Sequence, residues 1–148
     1  MSKFLKKFST LGPIGYCPAS GTIASIATIP LIIGLSVLPL LYTIVSVCIF
    51  FGGIFAIQKT ISNFESSDPS EIVIDEVMGI FITFFMIPLT IKTMIVGFAL
   101  FRLFDISKSC GVKWWEQFNG PWGIMLDDMW AGVLSNIIVH MLFAVGAF

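Results

Sequence analysis

Two adjacent pairs of acidic residues stand where polar segments of the chain give way to apolar ones. Asp75 and Glu76 precede the apolar run that starts at Val77, and Asp127 and Asp128 precede the apolar run that closes the sequence. A single acid is common at a helix start, where the helix dipole stabilises it by under about 1 kcal/mol. Two neighbouring acids repel each other there, and a bound cation would compensate them together. These four carboxylates are candidate metal ligands.

Two further acids lie upstream of the first pair. Asp68, Pro69 and Glu71 have the types and spacing of a helix N-cap and its first and third positions, which predicts a helix that begins there with a capping box. Glu71 is also one turn before Asp75, and the two would repel each other without a cation. Capping and metal binding are therefore alternative roles for Asp68 and Glu71.

The ligand types favour a hard cation. The chain has one His and three Cys, and the Cys form no CxxC pair. Carboxylate-rich sites favour Mg²⁺, Mn²⁺ or Ca²⁺ over zinc. A cysteine-based phosphatase would need an Arg six residues after its nucleophile, and Ile23 and Glu116 stand at those positions after Cys17 and Cys110. That class of phosphatase is excluded.

Three charged residues recur every third position near the end of another apolar run. Arg102, Asp105 and Lys108 would lie near one face of a helix end. One interpretation is a local ion-pair network whose cations extend toward an interface. The other is a cationic clamp for phosphate, with Arg as the bidentate group. With the acids, these residues indicate a metal-dependent enzyme that acts on a phosphate.

The elements that must position these residues are unusually apolar. Hydrophobic residues make up 57% of the chain and charged residues 11%, against roughly 45–50% and 25% in ordinary soluble domains. The mean hydropathy is +0.98 and the formal net charge is −1. This balance excludes a nucleic-acid-binding surface and a disordered chain. It predicts an integral membrane protein.

The apolar segments predict an all-α protein with about four to five short hydrophobic helices. Pro39 divides the first long run into two helices, and residues 88–92 interrupt the second run. If that run were one crossing, Lys92 would lie in hydrocarbon at a cost of about 2.5 kcal/mol or more. We therefore predict a short hairpin with its turn at residues 88–92. The expected helices cover residues 22–38, 40–58, both arms of 77–104, and 129–148.

The N-terminus predicts which side of the membrane the acids occupy. Lys3, Lys6 and Lys7 beside Phe4 and Phe8 suit a short amphipathic helix on an anionic membrane surface. The positive-inside rule makes this end cytoplasmic. The hairpin then returns both acidic segments to the same cytoplasmic face. We expect one multi-pass membrane domain over residues 1–148.

Three segments in this order resemble the phosphatidylglycerophosphatase A family. The family pattern has a Gly-Thr segment, here Gly21-Thr22, then a DPxxIVIDExxG block at residues 68–79. Its last block, FRxFDxxK…GIMxDDxxAG, corresponds to residues 101–132. The chain departs from it at residues 109–111, where the family usually has prolines, and at Pro121, where it has glycine. Every charged motif residue is present.

The resemblance implies a Mg²⁺-dependent phosphatase of the bacterial inner membrane. Its substrate would be phosphatidylglycerophosphate, and its products phosphatidylglycerol and inorganic phosphate. Arg102 and Lys108 would neutralise the phosphoryl group, Asp105 would orient Lys108 or act as acid or base, and Thr22 would donate hydrogen bonds to phosphate. Attack by water and an aspartyl-phosphate intermediate are both open.

Three alternatives use the same residues differently. An ion or proton transporter would use membrane-embedded carboxylates, but would distribute them through the depth of the bilayer. A phosphatase of another lipid phosphate would keep the same site with a different substrate. A lipid-binding or structural membrane protein would have no activity.

Overall fold

The computed structural model describes residues 2–64, 69–115, 117–118 and 120–148, with residues 2 and 63 by their backbone alone. All regular structure in these ranges is helical, which confirms the predicted all-α class. Single 3-10 turns lie at Ile14–Tyr16 and Ile61–Asn63. The α-helices are α1 (Ser2–Ser9), α2 (Ser20–Leu35), α3 (Pro39–Thr60), α4 (Ile74–Thr83), α5 (Ile91–Ser107), α6 (Val112–Trp115) and α7 (Pro121–Ala144).

Prolines and threonines set several of the helix boundaries. Pro39 occupies the first turn of α3, where a backbone N–H would have no partner within the helix, so its absence in proline costs no hydrogen bond. Between α4 and α5 the chain is non-helical, and α5 starts at a capping box in which the side chains of Thr90 and Thr93 each accept a bond from the other's backbone N–H. Lys92 is exposed at this turn. The predicted division at Pro39 is confirmed, and the predicted interruption is present but lies at residues 84–90, earlier than the predicted 88–92, so that Lys92 already belongs to the first turn of α5.

Helix α4 is the centre of the molecule and packs against α2, α3, α5 and α7. Its most extensive contact is with α7, and the two backbones meet at glycines. A Cβ added to Gly132 would overlap the Gly79 carbonyl, and one added to Gly79 would lie 2.8 Å from the Asp128 carbonyl oxygen. Only residues without a side chain allow the helices to cross this closely.

Both ends of α4 are tied to other parts of the chain. Before its first residue, the Val73 N–H donates to the Ser9 carbonyl at 2.9 Å. Beyond its midpoint, the Tyr42 hydroxyl donates to the Phe81 carbonyl at 2.6 Å. The Asn136 side-chain amide donates to the carbonyls of Thr83 and Phe85 at 3.1 and 2.9 Å. These bonds satisfy carbonyls that the end of a helix leaves without partners.

The predicted helix start at Asp68 is wrong for the residues that the structure describes. Helix α4 begins at Ile74, with Val73 as an N-cap that makes no side-chain bond. Glu71 lies in the preceding turn, and Asp68 lies outside the described residues. Tertiary bonds explain the difference, because the Ser70 carbonyl accepts from the Ser20 hydroxyl at 2.7 Å. Together with the bond between Val73 and Ser9, it holds the segment out of a helix.

The last helix also begins earlier than predicted. Helix α7 starts at Pro121 rather than residue 129, so Asp127 and Asp128 lie in its second turn. Pro121 at the first helical position accounts for the earlier start.

One described helix has the length and composition to cross a membrane. This helix is Pro39–Thr60, whose mean hydropathy reaches 2.4. Ser20–Leu35 is a shorter apolar helix. Many large apolar side chains on α2 and α3 face outward rather than into the core.

Candidate active site

The crossing of α4 and α7 brings three carboxylates together. Single carboxylate oxygens of Asp75, Glu76 and Asp128 all lie within 4.8 Å of one another. Gly79 and Gly132 lie one turn beyond the acids of their own helices, so the close contact at the glycines sets the distance between the acids. The candidate ligands predicted from two separate segments thus meet in one cluster.

The cluster is buried and short of compensating partners. Asp75 is 8% exposed and Asp128 3% exposed. Glu76 is partly exposed as a residue, yet its Oε2 atom and the Asp75 Oδ1 atom are buried with no hydrogen-bond partner. Uncompensated carboxylate oxygens of this kind are costly in a protein interior. A divalent cation with oxygen ligands fits this donor set.

The electrostatics of the acids agree with that fit. Burial, and then the charge of Glu76, raise the pKa of Asp75 well above its usual range. Burial, and then the charge of Asp105, do the same to the pKa of Asp128. Burial is also the main cause that raises the pKa of Glu76 to about 7. A cation would favour the ionised forms and reverse these shifts.

The basic residues form an ion-pair network beside the cluster. Arg102 Nη1 lies 2.7 Å from Asp105 Oδ2, and Lys108 Nζ lies 3.8 Å from Asp105 Oδ1. Helix α5 ends at Ser107, and Lys108 has a left-handed backbone with φ 49°. The predicted common face of these three residues is confirmed by their contacts, with Asp105 between the two cations.

Lys108 also joins α5 to α7. Its Nζ donates to Asp127 Oδ2 at 2.5 Å, and Asp127 Oδ1 accepts from the Asp128 N–H at 2.9 Å. Burial is the largest single influence on the pKa of Lys108 and lowers it, but the bond to Asp127 and the charges of Asp127, Asp128 and Asp105 together outweigh burial, so the pKa is raised. The two adjacent aspartates therefore face different partners: Asp128 faces the other acids, and Asp127 faces the ammonium group.

The start of α2 completes the site. A Cβ on Gly21 would overlap Glu76 Oε1 and lie 3.2 Å from Arg102 Nη1. Thr22 is in the same first turn and is partly exposed. Gly21 was not among the predicted site residues. The sequence pointed to Gly21 only through the Gly-Thr pair of the family pattern, and that pattern did not explain why a glycine is needed there.

One predicted ligand, Glu71, lies apart from the cluster, and another, Asp68, lies outside the described residues. Glu71 lies three residues before the start of α4, and its backbone carbonyl packs closely against Gly15. Among the described residues, Glu71 is not part of the carboxylate cluster. Asp68 cannot be placed because it lies outside those residues.

Residues 7–143 match the sequence model of the family described as Phosphatidylglycerophosphatase A. The chain belongs to this family. It is 36% identical to the phosphatidylglycerophosphatase A of Haemophilus influenzae, with 93% of each chain covered. It is 33% identical to the Escherichia coli protein of the same name, over 90% of this chain and 77% of that one.

Another relative has a different name. A Bacteroides thetaiotaomicron protein, provisionally named a phosphatidylinositol-3-phosphatase, is 38% identical over 88% of this chain and 85% of its own. No solved structure is significantly similar. Membership of the phosphatidylglycerophosphatase A family makes this chain a phosphatase, as the motifs predicted.

Proposed function

We propose that the protein is a Mg²⁺-dependent phosphatase of the bacterial inner membrane. It would hydrolyse phosphatidylglycerophosphate to phosphatidylglycerol and inorganic phosphate at the cytoplasmic face. The observation that carries the proposal is the buried cluster of Asp75, Glu76 and Asp128 beside Arg102, in a chain of this family. Two of its carboxylate oxygens lack any partner.

The three clustered acids would hold the metal ion. Bound Mg²⁺ would supply positive charge against the phosphoryl oxygens and lower the pKa of a coordinated water. Asp127 would act differently, by holding Lys108 at the site through the bond at 2.5 Å. Glu71 lies outside the cluster and has no proposed role in holding the metal, and Asp68 stays a predicted ligand.

The remaining site residues would bind and orient the phosphate. The Arg102 Nε atom is buried without a partner, which leaves a donor for a phosphoryl oxygen. Lys108 would add a second positive charge. Thr22 would contribute its hydroxyl and the free N–H groups of the first turn of α2. Asp105 would hold both cations in place, or act as acid or base.

The orientation in the membrane follows from the charges at one end of α3. Helix α1 packs on α3, and the hydroxyl oxygens of Ser9 and Thr60 are 3.5 Å apart. The lysines of α1 therefore lie near Lys59, at the end that the positive-inside rule makes cytoplasmic. We propose that α2, α3, the α4–α5 hairpin and α7 are embedded in the membrane, and that the embedded parts begin after Glu76 and Asp128.

A second candidate substrate is another lipid phosphate. The Bacteroides relative is provisionally named for phosphatidylinositol 3-phosphate and is somewhat more similar than the two phosphatidylglycerophosphatases. The same carboxylates and cations would serve either phosphomonoester.

Phosphate release from purified protein tests both the reaction and the substrate. We expect release from phosphatidylglycerophosphate with Mg²⁺, little release with EDTA, and slower release from phosphatidylinositol 3-phosphate. The Asp128→Asn variant controls for a contaminating phosphatase. Release that persists in EDTA would contradict the metal requirement. A folded sample without activity toward either lipid would contradict the proposed function.

A further inference from the structure

An apolar groove lies on the outer surface between α3, α4 and α7. It has a volume of about 270 Å³, and its walls include Val47, Phe51, Met78, Ile82 and Met129. The two hydroxyl groups in its lining, those of Thr43 and Ser46, donate within α3, to the carbonyls of Pro39 and Tyr42. The groove therefore presents no free donor and suits an aliphatic chain.

Two residues that line the groove lie further along the same face of α4 as Asp75. Asp75, Met78 and Ile82 are three and four residues apart, so they lie on the same face of α4. At the rise of an α-helix, Met78 is about 4.5 Å and Ile82 about 10 Å further along the axis than Asp75. On α7, Met129 directly follows Asp128. The same two helices that supply the acids thus form two walls of the groove.

We propose that this groove binds one acyl chain of the lipid substrate while the phosphate lies at the carboxylate cluster. This proposal rests on the proposed function, and it assigns a binding site to the acyl end of the same lipid substrate. A lipid phosphate needs a polar site and an apolar site within the length of one molecule, and α4 offers both in order. Since membrane lipid is as apolar as the groove, the groove orients the substrate more than it attracts it.

If the groove orients the substrate, a change in the groove should alter kcat/KM only for substrates that carry acyl chains. A chain held along α4 fixes the glycerol and keeps the phosphate against the acids. Displacement of a reacting group by about 1 Å can reduce catalysis by about 10²-fold. A partial obstruction of the groove is therefore expected to lower kcat/KM by about tenfold. For a substrate without acyl chains, we expect the obstruction to leave kcat/KM unchanged.

Two tryptophan substitutions on α3 form the test. Val47 lines the groove and Ile44 does not, and both are 49% exposed, so Val47→Trp and Ile44→Trp place the same large side chain at equally exposed positions. The substrates are dipalmitoyl phosphatidylglycerophosphate in mixed micelles and its water-soluble deacylated headgroup. We expect Val47→Trp to lower kcat/KM about tenfold for the lipid only, and Ile44→Trp to change neither. Equal effects of the two variants, or equal effects on the two substrates, would overturn the proposal.

A binding measurement separates the groove from the reaction. Phosphatidylglycerol with a photoactivatable group in one acyl chain is cross-linked to the protein, and labelled residues are located by mass spectrometry. We expect stronger label at Met78 and Met129 than at Ile44, with loss of that label in Val47→Trp. Uniform label over the outer surface of α3 would mean that ordinary bilayer lipid covers the groove, and would overturn the proposal whether or not the protein is active. Failure of the proposed function would instead appear as no release from either substrate by unmodified protein.

Discussion

Lys108 Nζ lies 2.5 Å from Asp127 Oδ2, across nineteen positions of sequence. This bond gives the two adjacent aspartates of α7 separate environments. Asp128 is turned toward Asp75 and Glu76, whereas Asp127 is held by an ammonium group. Replacement of either acid by Asn therefore removes a different interaction.

The first prediction concerns these two replacements. Asp128→Asn removes a candidate metal ligand, so we expect activity to fall by more than about 10²-fold and the Mg²⁺ concentration for half-maximal activity to rise. Asp127→Asn leaves the cluster intact but removes the charged partner of Lys108 on α7, so that Lys108 keeps its contact with Asp105 and is held less firmly. We expect it to lower kcat by about 10²-fold at an unchanged Mg²⁺ requirement. Mg²⁺ titrations of phosphate release measure both effects. The same Mg²⁺ requirement in both variants would contradict the separation.

The second prediction concerns the crossing of α4 and α7. In Gly132→Ala the new methyl group would overlap the Gly79 carbonyl, which is backbone and cannot rotate away. The helices must move apart, so we expect a loss of about 1–3 kcal/mol in stability and of most activity. Gly34→Ala is the matched control, because nothing lies within 4 Å of its added Cβ on α2. Thermal unfolding in detergent and phosphate release are the measurements. If Gly132→Ala and Gly34→Ala unfold at the same temperature, the close contact does not limit packing.

The sequence was informative where a residue type was unusual for its surroundings. Acidic pairs beside apolar runs identified Asp75, Glu76, Asp127 and Asp128 as candidate ligands, and all four lie at or next to one cluster. Which member of a pair faces the cluster could not be predicted. Adjacent residues on a helix point about 100° apart, and only the packing of other helices decides which direction is inward.

Helix boundaries show the same division between local and tertiary information. The capping pattern at residues 68–71 is a genuine local signal, yet hydrogen bonds with Ser9 and Ser20 hold Ser70 and Val73 outside the helix, which begins at Ile74. Local propensity is a weak preference that such bonds override. By contrast, the boundary predicted at Pro39 is kept, because the residue before a proline is biased away from helical geometry: Leu38 is not helical, and Pro39 opens the first turn of α3.

The third prediction concerns pH and follows from the raised pKa values of the clustered acids. Asp75, Asp128 and Glu76 all have a pKa above the usual value, and that of Glu76 is about 7. Protonation therefore stabilises the metal-free fold. For Glu76 this contribution is complete below the ordinary carboxyl pKa of about 4, and is lost as the pH rises through about 7.

Thermal unfolding with EDTA or Mg²⁺ at about pH 5 and about pH 8 measures this effect. In EDTA we expect a lower Tm at the higher pH, and we expect Mg²⁺ to raise the Tm mainly there, since it binds the ionised acids. Asp128→Asn should reduce both differences. A Tm in EDTA that rises between the two pH values would contradict the predicted sign.

The fourth prediction concerns the guanidinium group of Arg102. Arg102→Lys keeps the charge but removes the planar fork, including the buried Nε that has no partner in the protein. We expect kcat/KM for phosphate release to fall by about 10- to 100-fold, with little change in Tm. Lys92→Gln is the control, because it removes an exposed positive charge beyond the opposite end of α4. Full activity in Arg102→Lys would mean that Arg102 only balances Asp105.

Helix α4 is ten residues long and is fastened at both ends, by Ser9 before it and by Tyr42 and Asn136 at its far end. A short helix that is hydrogen-bonded at both ends has little freedom to shift along its axis or to rotate about it. The angular setting of Asp75 and Glu76 is therefore fixed by hydroxyl and amide groups that never meet the phosphate. If the cluster binds Mg²⁺ as proposed, the cation would enter a site whose three carboxylates the fold has already brought together.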